Sequence, residues 1–193
     1  MSHRAGLDRR TVVHAAAQLI DTASSGLDEL SLSAVAEQLG VRPPSLYKHV
    51  AGLSALQRDL SLLGLTILGD NLTDAAVGRS ADEAIRAVAY AYRTFAREHP
   101  GLYTAALRAP APSDTELDAA AGRVVGVILR VLEGYGLRGD DALHAIRALR
   151  SLLHGFISLE AGGGFGLPLD LDESYRRMVT MFIEALHAGN GRR

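Results

Sequence analysis

Apolar residues recur at spacings of three and four along almost the whole chain, and no window alternates with period two over a strand's length, so the pattern predicts an all-helical protein. The first helix is expected from Asp8 to Ser24, with Val12, Ala16, Leu19, Ile20 and Ala23 on one face, before Gly26 breaks the chain. Ser31 then offers an N-cap, and Leu32, Val35, Ala36 and Leu39 follow up to Gly40, whose tolerance of left-handed backbone ends a short helix. Pro43 and Pro44 fit only at a helix start, where their missing amides have no partner to lose. They predict a third short helix reaching about Val50.

Longer helices follow. One is expected from Ser54 to Val77, and a capping box at Ser80–Glu83 opens another to Glu98 with Ile85, Val88, Tyr92, Phe95 and His99 inward. Pro100 and Gly101 punctuate before a short helix bearing Leu102, Tyr103, Ala106 and Leu107, and Ala-Pro-Ala-Pro at 109–112 makes a stiff loop. Ser113–Glu116 reads as a second capping box, starting a helix to Tyr135; Gly134, Gly136 and Gly139 mark the turn into a helix from Asp140 to Ala161. After a loop at 162–168, Asp170–Glu173 caps the last helix, with Tyr175, Met178, Phe182, Ile183 and Leu186 inward. The tail from Gly189 is expected to fray.

Two of these helices are apolar on more than one side. The helix from Asp114 carries Leu117, Ala121, Val124, Ile128, Val131 and Tyr135 on one face and Gly122, Val125, Gly126, Leu129 and Leu132 on another. The helix from Asp140 repeats this with Ala142, Ile146, Leu149, Leu153 and Phe156, against Ala145, Ala148, Leu152, Gly155 and Leu159. A surface helix needs one apolar face. Two such faces suit an intersubunit four-helix bundle, or burial in a larger monomer core. Between the faces His144, Arg147, Ser151, His154 and Ser158 form a polar stripe. Pointing inward, it would give polar contacts to an apolar cavity lined by Phe95, Tyr103 and Phe156; pointing outward, it would belong to an interface or to solvent.

Composition narrows the classes. The 193 residues are 48% apolar, 22% charged and 5% aromatic, which excludes disorder and collagen-like repeats. Cysteine is absent, so disulfides, thiolate metal clusters and a cysteine nucleophile are excluded, and a cytoplasmic location is the simplest expectation. The longest apolar run, Leu60–Leu68, is interrupted by Gly64 and Thr66 and is far short of the roughly 20 residues that span a bilayer. Met1–Asp8 is polar and basic, unlike a secretory leader. No enzyme motif is found: the seven histidines form no i, i+4 pair with a glutamate, and Gly162–Gly166 lacks a phosphate-loop lysine. No metal or cofactor is expected.

Charge changes the picture locally. The net charge is −2, yet Val41–Arg58 holds Arg42, Lys48, Arg58 and His49 with no acid. Within it, residues 32–50 read Leu-Ser-Ala-Val-Ala-Glu-Gln-Leu-Gly-Val-Arg-Pro-Pro-Ser-Leu-Tyr-Lys-His-Val. Ala36 is small where a second helix must cross, Gly40 allows the turn, and Val35, Leu39, Val41 and Leu46 supply a shared core. This is a helix-turn-helix pattern. Its second helix offers Arg42, Pro44, Ser45, Tyr47, Lys48 and His49 to solvent, a set rich in donors for phosphates and base edges.

Over residues 8–58 these motifs resemble the tetracycline-repressor (TetR) family of transcriptional regulators, through Leu-Ser-Leu-Ser-Ala-Val-Ala-Glu-Gln-Leu-Gly-Val from Leu30 and Ser-Leu-Tyr-Lys-His-Val from Ser45. The resemblance implies that Tyr47 and His49 contact the DNA backbone, with Arg42, Pro44, Ser45 and Lys48 at or near the groove. Where many members carry a lysine just after this helix, this chain reads Ala51-Gly52-Leu53. Further on, Leu153-His154-Gly155-Phe156 is similar to a subgroup with a Trp-His-Gly signature, leucine replacing tryptophan.

The expectation is therefore an all-α protein with a DNA-binding domain at 1–53, a ligand-sensing and dimerisation domain at 54–188, and a tail at 189–193. Its function would be that of a homodimeric regulator, released from a double-stranded operator by a small-molecule effector bound at Phe95, Tyr103, His154 and Phe156. The alternative is a small-molecule-binding or protein-interaction module without sequence-specific DNA binding.

Overall fold

The computed structural model describes residues 7–23 and 26–190; residues 1–6, Ser24, Ser25 and residues 191–193 lie outside them, and with them the end of the expected first helix and most of the expected tail. The elements are α1 (Arg9–Thr22), a 3₁₀ turn (Gly26–Glu29), α2 (Leu32–Gln38), a 3₁₀ helix (Pro43–Lys48), α3 (Leu53–Ala76), α4 (Ala81–Glu98), α5 (Pro100–Ala106), α6 (Thr115–Glu133), α7 (Gly139–Ala161) and α8 (Leu171–Asn190). No strand occurs among the described residues, as the hydrophobic period predicts. Contacts divide the chain into two units. One is Met1–Thr66 with Glu98–Asp118, the other Ile67–Arg97 with Ala119–Arg193.

Most helix ends obey their local signals. Asp8 caps α1 by accepting from the Thr11 amide at 2.7 Å, Ser31 caps α2 by accepting from the Ala34 amide at 3.1 Å, and Asp170 caps α8 by accepting from the Asp172 amide at 2.8 Å. Two ends differ. The cap of α6 is Asp114, accepting from the Leu117 amide at 3.1 Å, one residue after the expected Ser113. At α4, Ala81 has a φ of 46°, left-handed backbone for a non-glycine residue, where a capping box from Ser80 was expected.

In the first unit, Val12, Ala16, Ile20, Val35, Leu46 and Leu56 form a core onto which α5 is packed. Asp21 fixes α5 from α1: one carboxylate oxygen accepts from the Leu102 amide at 2.9 Å and the other lies 2.9 Å from His99 Nδ1. Gly101 is not a break but the buried first turn of α5, lying against the Ile20 backbone. Acid and base also close on each other here. Arg9 and Arg58 flank the buried Asp59, and Arg58 reaches Asp114 at 2.6 Å and Glu116 at 2.7 Å.

In the second unit, Ile85, Val88, Phe95, Leu132, Leu149, Leu153 and Ile183 are buried. The Tyr175 hydroxyl donates to the Ala89 carbonyl at 2.6 Å, tying α8 to α4. Arg93 of α4 is buried among Glu160 of α7, Asp172 of α8 at 2.8 Å, and the faces of Tyr175 (4.7 Å) and Phe156 (5.4 Å). Its carboxylate partners hold the guanidinium firmly protonated, and Arg93 in turn keeps Glu160 below the usual carboxylate range.

Candidate nucleic-acid interface

The helix-turn-helix is built by two local devices. After α2, Gly40 adopts φ 65°, which lets its amide donate to the Glu37 carbonyl (3.0 Å) and the Val41 amide to the Ala36 carbonyl (2.9 Å). The chain turns sharply. Arg42, preceding a proline, is extended at φ −83° and ψ 141°, and Pro43 and Pro44 occupy the first two positions of the next helix.

That helix is tighter and shorter than the sequence predicts. Instead of reaching about Val50 it is a 3₁₀ helix ending at Lys48, with the Ser45 amide donating to Arg42 and the His49 amide to Leu46, at 2.9 and 2.8 Å. Two consecutive prolines leave no amides at its start, and so short a piece gains few longer-range bonds. Three residues per turn align Pro44 with Tyr47 and Ser45 with Lys48 along the helix. Leu46 and Val50 anchor it in the core; Arg42, Pro44, Tyr47 (62% exposed) and Lys48 stand in solvent, with Ser45 and His49 half-buried. Of the four side chains expected to fill the shared core, Val35 and Leu46 are buried, whereas Leu39 and Val41 are half-buried.

The acid-free window overstates the available charge. Arg58 is committed to Asp114 and Glu116, which raise its pKa, so Arg42 and Lys48 carry the window's exposed positive charge. Sequence reasoning passed over Arg10, which is exposed at the start of α1. Asp8 feels the charge of both Arg10 and His49, although its pKa is lowered chiefly by the Thr11 amide. The only signal for Arg10 was its place in the first turn.

The four expected ligand residues are not all in one unit. Phe95, His154 and Phe156 belong to the second and Tyr103 to the first. Phe95, Tyr103 and Phe156 are buried, and Phe156 packs on Phe165 and Tyr175 with ring centroids 4.8 and 5.0 Å away. His154 is half-buried, its Nε2 3.5 Å from the Ser158 hydroxyl. The stripe points outward: His144, Arg147, Ser151 and Ser158 are exposed. The second faces of α6 and α7 part company. On α6, Leu132 is fully buried and Val125, Gly126 and Leu129 half-buried, whereas on α7 Leu152 and Leu159 are 40% and 52% exposed.

No described helix is long and apolar enough to cross a membrane. Residues 85–182 match the family model described as the tetracyclin repressor-like C-terminal domain, a window that includes Leu153-His154-Gly155. The chain is 38% identical over 191 residues to the HTH-type transcriptional regulator YobS of Bacillus subtilis, covering 98% of each. Its fold is similar to the transcriptional regulator SCO7222, a TetR from Streptomyces coelicolor (22% identity, 94% and 98% of the two chains, TM-score 0.72). It is also similar in fold to a TetR variant from Acinetobacter baumannii AYE in complex with minocycline (20% identity, 96% and 97%, TM-score 0.67).

Proposed function

The chain belongs to the TetR family of transcriptional regulators, and on that premise we propose that it is a homodimeric repressor whose grip on operator DNA is released by a small-molecule effector. The observation that carries the reading is the short proline-led helix: it is anchored by Leu46 and presents Arg42, Pro44, Tyr47 and Lys48 to solvent with no acid among them. Tyr47 and His49 serve the phosphate backbone, and Arg42, Pro44, Ser45 and Lys48 lie at the groove. Residues 1–53 act as the reader and 54–188 as the sensing and pairing domain of a cytoplasmic protein.

Pairing is supported by α7 and α8. Leu152 and Leu159, together with Met181 of α8 at 62% exposure, leave apolar surface that a second copy would cover, and a Cβ added at Gly155 meets nothing within 4 Å in its own chain. The effector is an apolar or aromatic molecule with a polar end. It meets Phe95, His154 and Phe156, with Tyr103 as the further candidate. It acts by favouring a dimer whose two reading helices no longer match major grooves about 34 Å apart, and a switch from mostly bound to mostly released needs roughly a 10⁴-fold preference between states.

Selection of binding sites from random duplex DNA, followed by a salt titration of the winner, tests the reading. A palindromic site bound by two copies, with affinity falling steeply as salt rises, is expected. Failure to enrich any sequence, or binding by a monomer, would overturn it.

A further inference from the structure

The second unit holds a cavity of about 280 Å³ where the end of α3, the start of α4 and the end of α6 meet. Its apolar walls are Ala76, Val77, Ala84, Val127 and Val131. The lining has two positive side chains, Arg79 and Arg130, and no negative one. Arg79 Nη1 donates to the Ala75 carbonyl at 2.9 Å, which spends one of its donors on the end of α3 and leaves the others open. Arg130 folds back along α6 across Gly126, where an added Cβ would stand 3.8 Å from its Nη1. Among the described residues neither guanidinium forms an ion pair, unlike Arg93 and Arg123 of the same unit. Asp82, the acid following Ala81, is already engaged by the Tyr135 hydroxyl at 2.7 Å and by His187 Nε2 at 2.8 Å.

We infer that this cavity binds a small amphipathic monocarboxylate, its carboxylate shared by Arg79 and Arg130 and its hydrocarbon body against Val127 and Val131. An apolar concavity with a few convergent polar groups is the make-up of a small-molecule site, and guanidinium forks match carboxylate oxygens two at a time. The volume lies just below the range for drug-sized sites, roughly 300–1,000 Å³, so the ligand is of the size of benzoate or hexanoate rather than a polycyclic drug. The Ser80 hydroxyl in the same lining can donate to the acid as well. None of these residues coincides with Phe95, His154 or Phe156, so this is a second ligand site, independent of the effector reading.

The test is an NMR titration of the ¹⁵N-labelled full chain with benzoate and hexanoate, and with the neutral benzamide and hexanamide as controls. Saturable shifts at the amides of Ala81, Ala84 and Gly134 are expected. The amides should bind about tenfold or more weakly, and Arg130→Gln should weaken the acids by a similar factor while the rest of its spectrum stays unchanged. Val127→Phe, which fills the apolar wall, should abolish the shifts. Equal binding of acid and amide, absence of saturable shifts, or shifts centred on Phe156 would overturn the proposal.

Discussion

Gly101→Ala isolates the contact that fastens α5 to the reader. A Cβ on Gly101 would stand 2.5 Å from the carbonyl carbon of Ile20 and 2.6 Å from its Cγ1, and closer still to its carbonyl oxygen. Ordinary carbon–oxygen approach is about 3.3 Å, so α1 and α5 must separate by about 1 Å. Two of the three atoms are backbone, so no rotamer change relieves the clash. The displacement opens the Asp21 clamp on the Leu102 amide and His99, both at 2.9 Å. Overpacking of this kind costs about 1–3 kcal/mol, and weakening one charge-assisted hydrogen bond adds about 1.5 kcal/mol, for a total of about 3 kcal/mol. In a chain of this size that lowers Tm by about 6–12 °C. Gly122→Ala is the matched control. It adds the same methyl to an exposed position of α6 with nothing within 4 Å, where better helix propensity should stabilise by about 0.5–1 kcal/mol. Thermal unfolding followed by far-ultraviolet circular dichroism reads both variants. If Gly101→Ala lowers Tm by less than about 2 °C, the reader and α5 are not held by this contact.

In the proposed dimer Lys48→Ala removes two charges at the edge of the groove; where each neutralises a phosphate, the slope of log affinity against log salt becomes shallower by about 1.8, and an unchanged slope with lost preference at one base pair would make Lys48 a base reader instead. Arg93→Ala leaves a half-buried Glu160 without its partner and should cost about 3 kcal/mol in denaturant unfolding, with Arg93→Lys a poor rescue because an ammonium cannot pair side-on and stack on Tyr175 together; full stability of Arg93→Lys would refute that reading. Glu160, Asp114 and Asp82 are held below the usual carboxylate range by Arg93, Arg58 and Tyr135 respectively, so the folded state binds protons less readily than the unfolded one. Stability should be full above about pH 4.3 and fall below it, and Glu160→Gln should flatten that acid limb in pH-dependent unfolding.

What the sequence made legible is what neighbours in the chain decide. Ser31, Gly40 and the two prolines act within four residues of themselves, and the turn they specify is found as expected. The same locality explains the near misses. Ser113 and Asp114 are both good caps, and what distinguishes them is Arg58, 56 residues away, whose guanidinium holds the Asp114 carboxylate beside the Leu117 amide. For the proline-led segment the sequence specifies a short helix without its type, because hydrophobic spacing over so few residues fits three per turn nearly as well as 3.6.

Charge was the least legible property, because a count along the chain does not reveal which charges cancel in space. Arg58 looked like part of a basic face until Asp114 and Glu116 folded onto it, and Arg93, inside an otherwise apolar helix face, gave no warning that it would be buried between Glu160 and Asp172. Both arginines are removed from any electrostatic surface by partners 56 to 79 positions distant. The consequence for DNA recognition is specific. With Arg58 neutralised, Arg9 spent on Asp59 and no lysine at Ala51-Gly52-Leu53, the exposed positive charge near the reading helix reduces, among the described residues, to Arg10, Arg42 and Lys48. In the proposed dimer so few cations per half-site would gain little from non-specific attraction to phosphate, which places the weight of affinity on a well-matched sequence and on presenting the three charges twice. On the proposed function, pairing through α7 and α8 is what brings two such sets of charges to one operator.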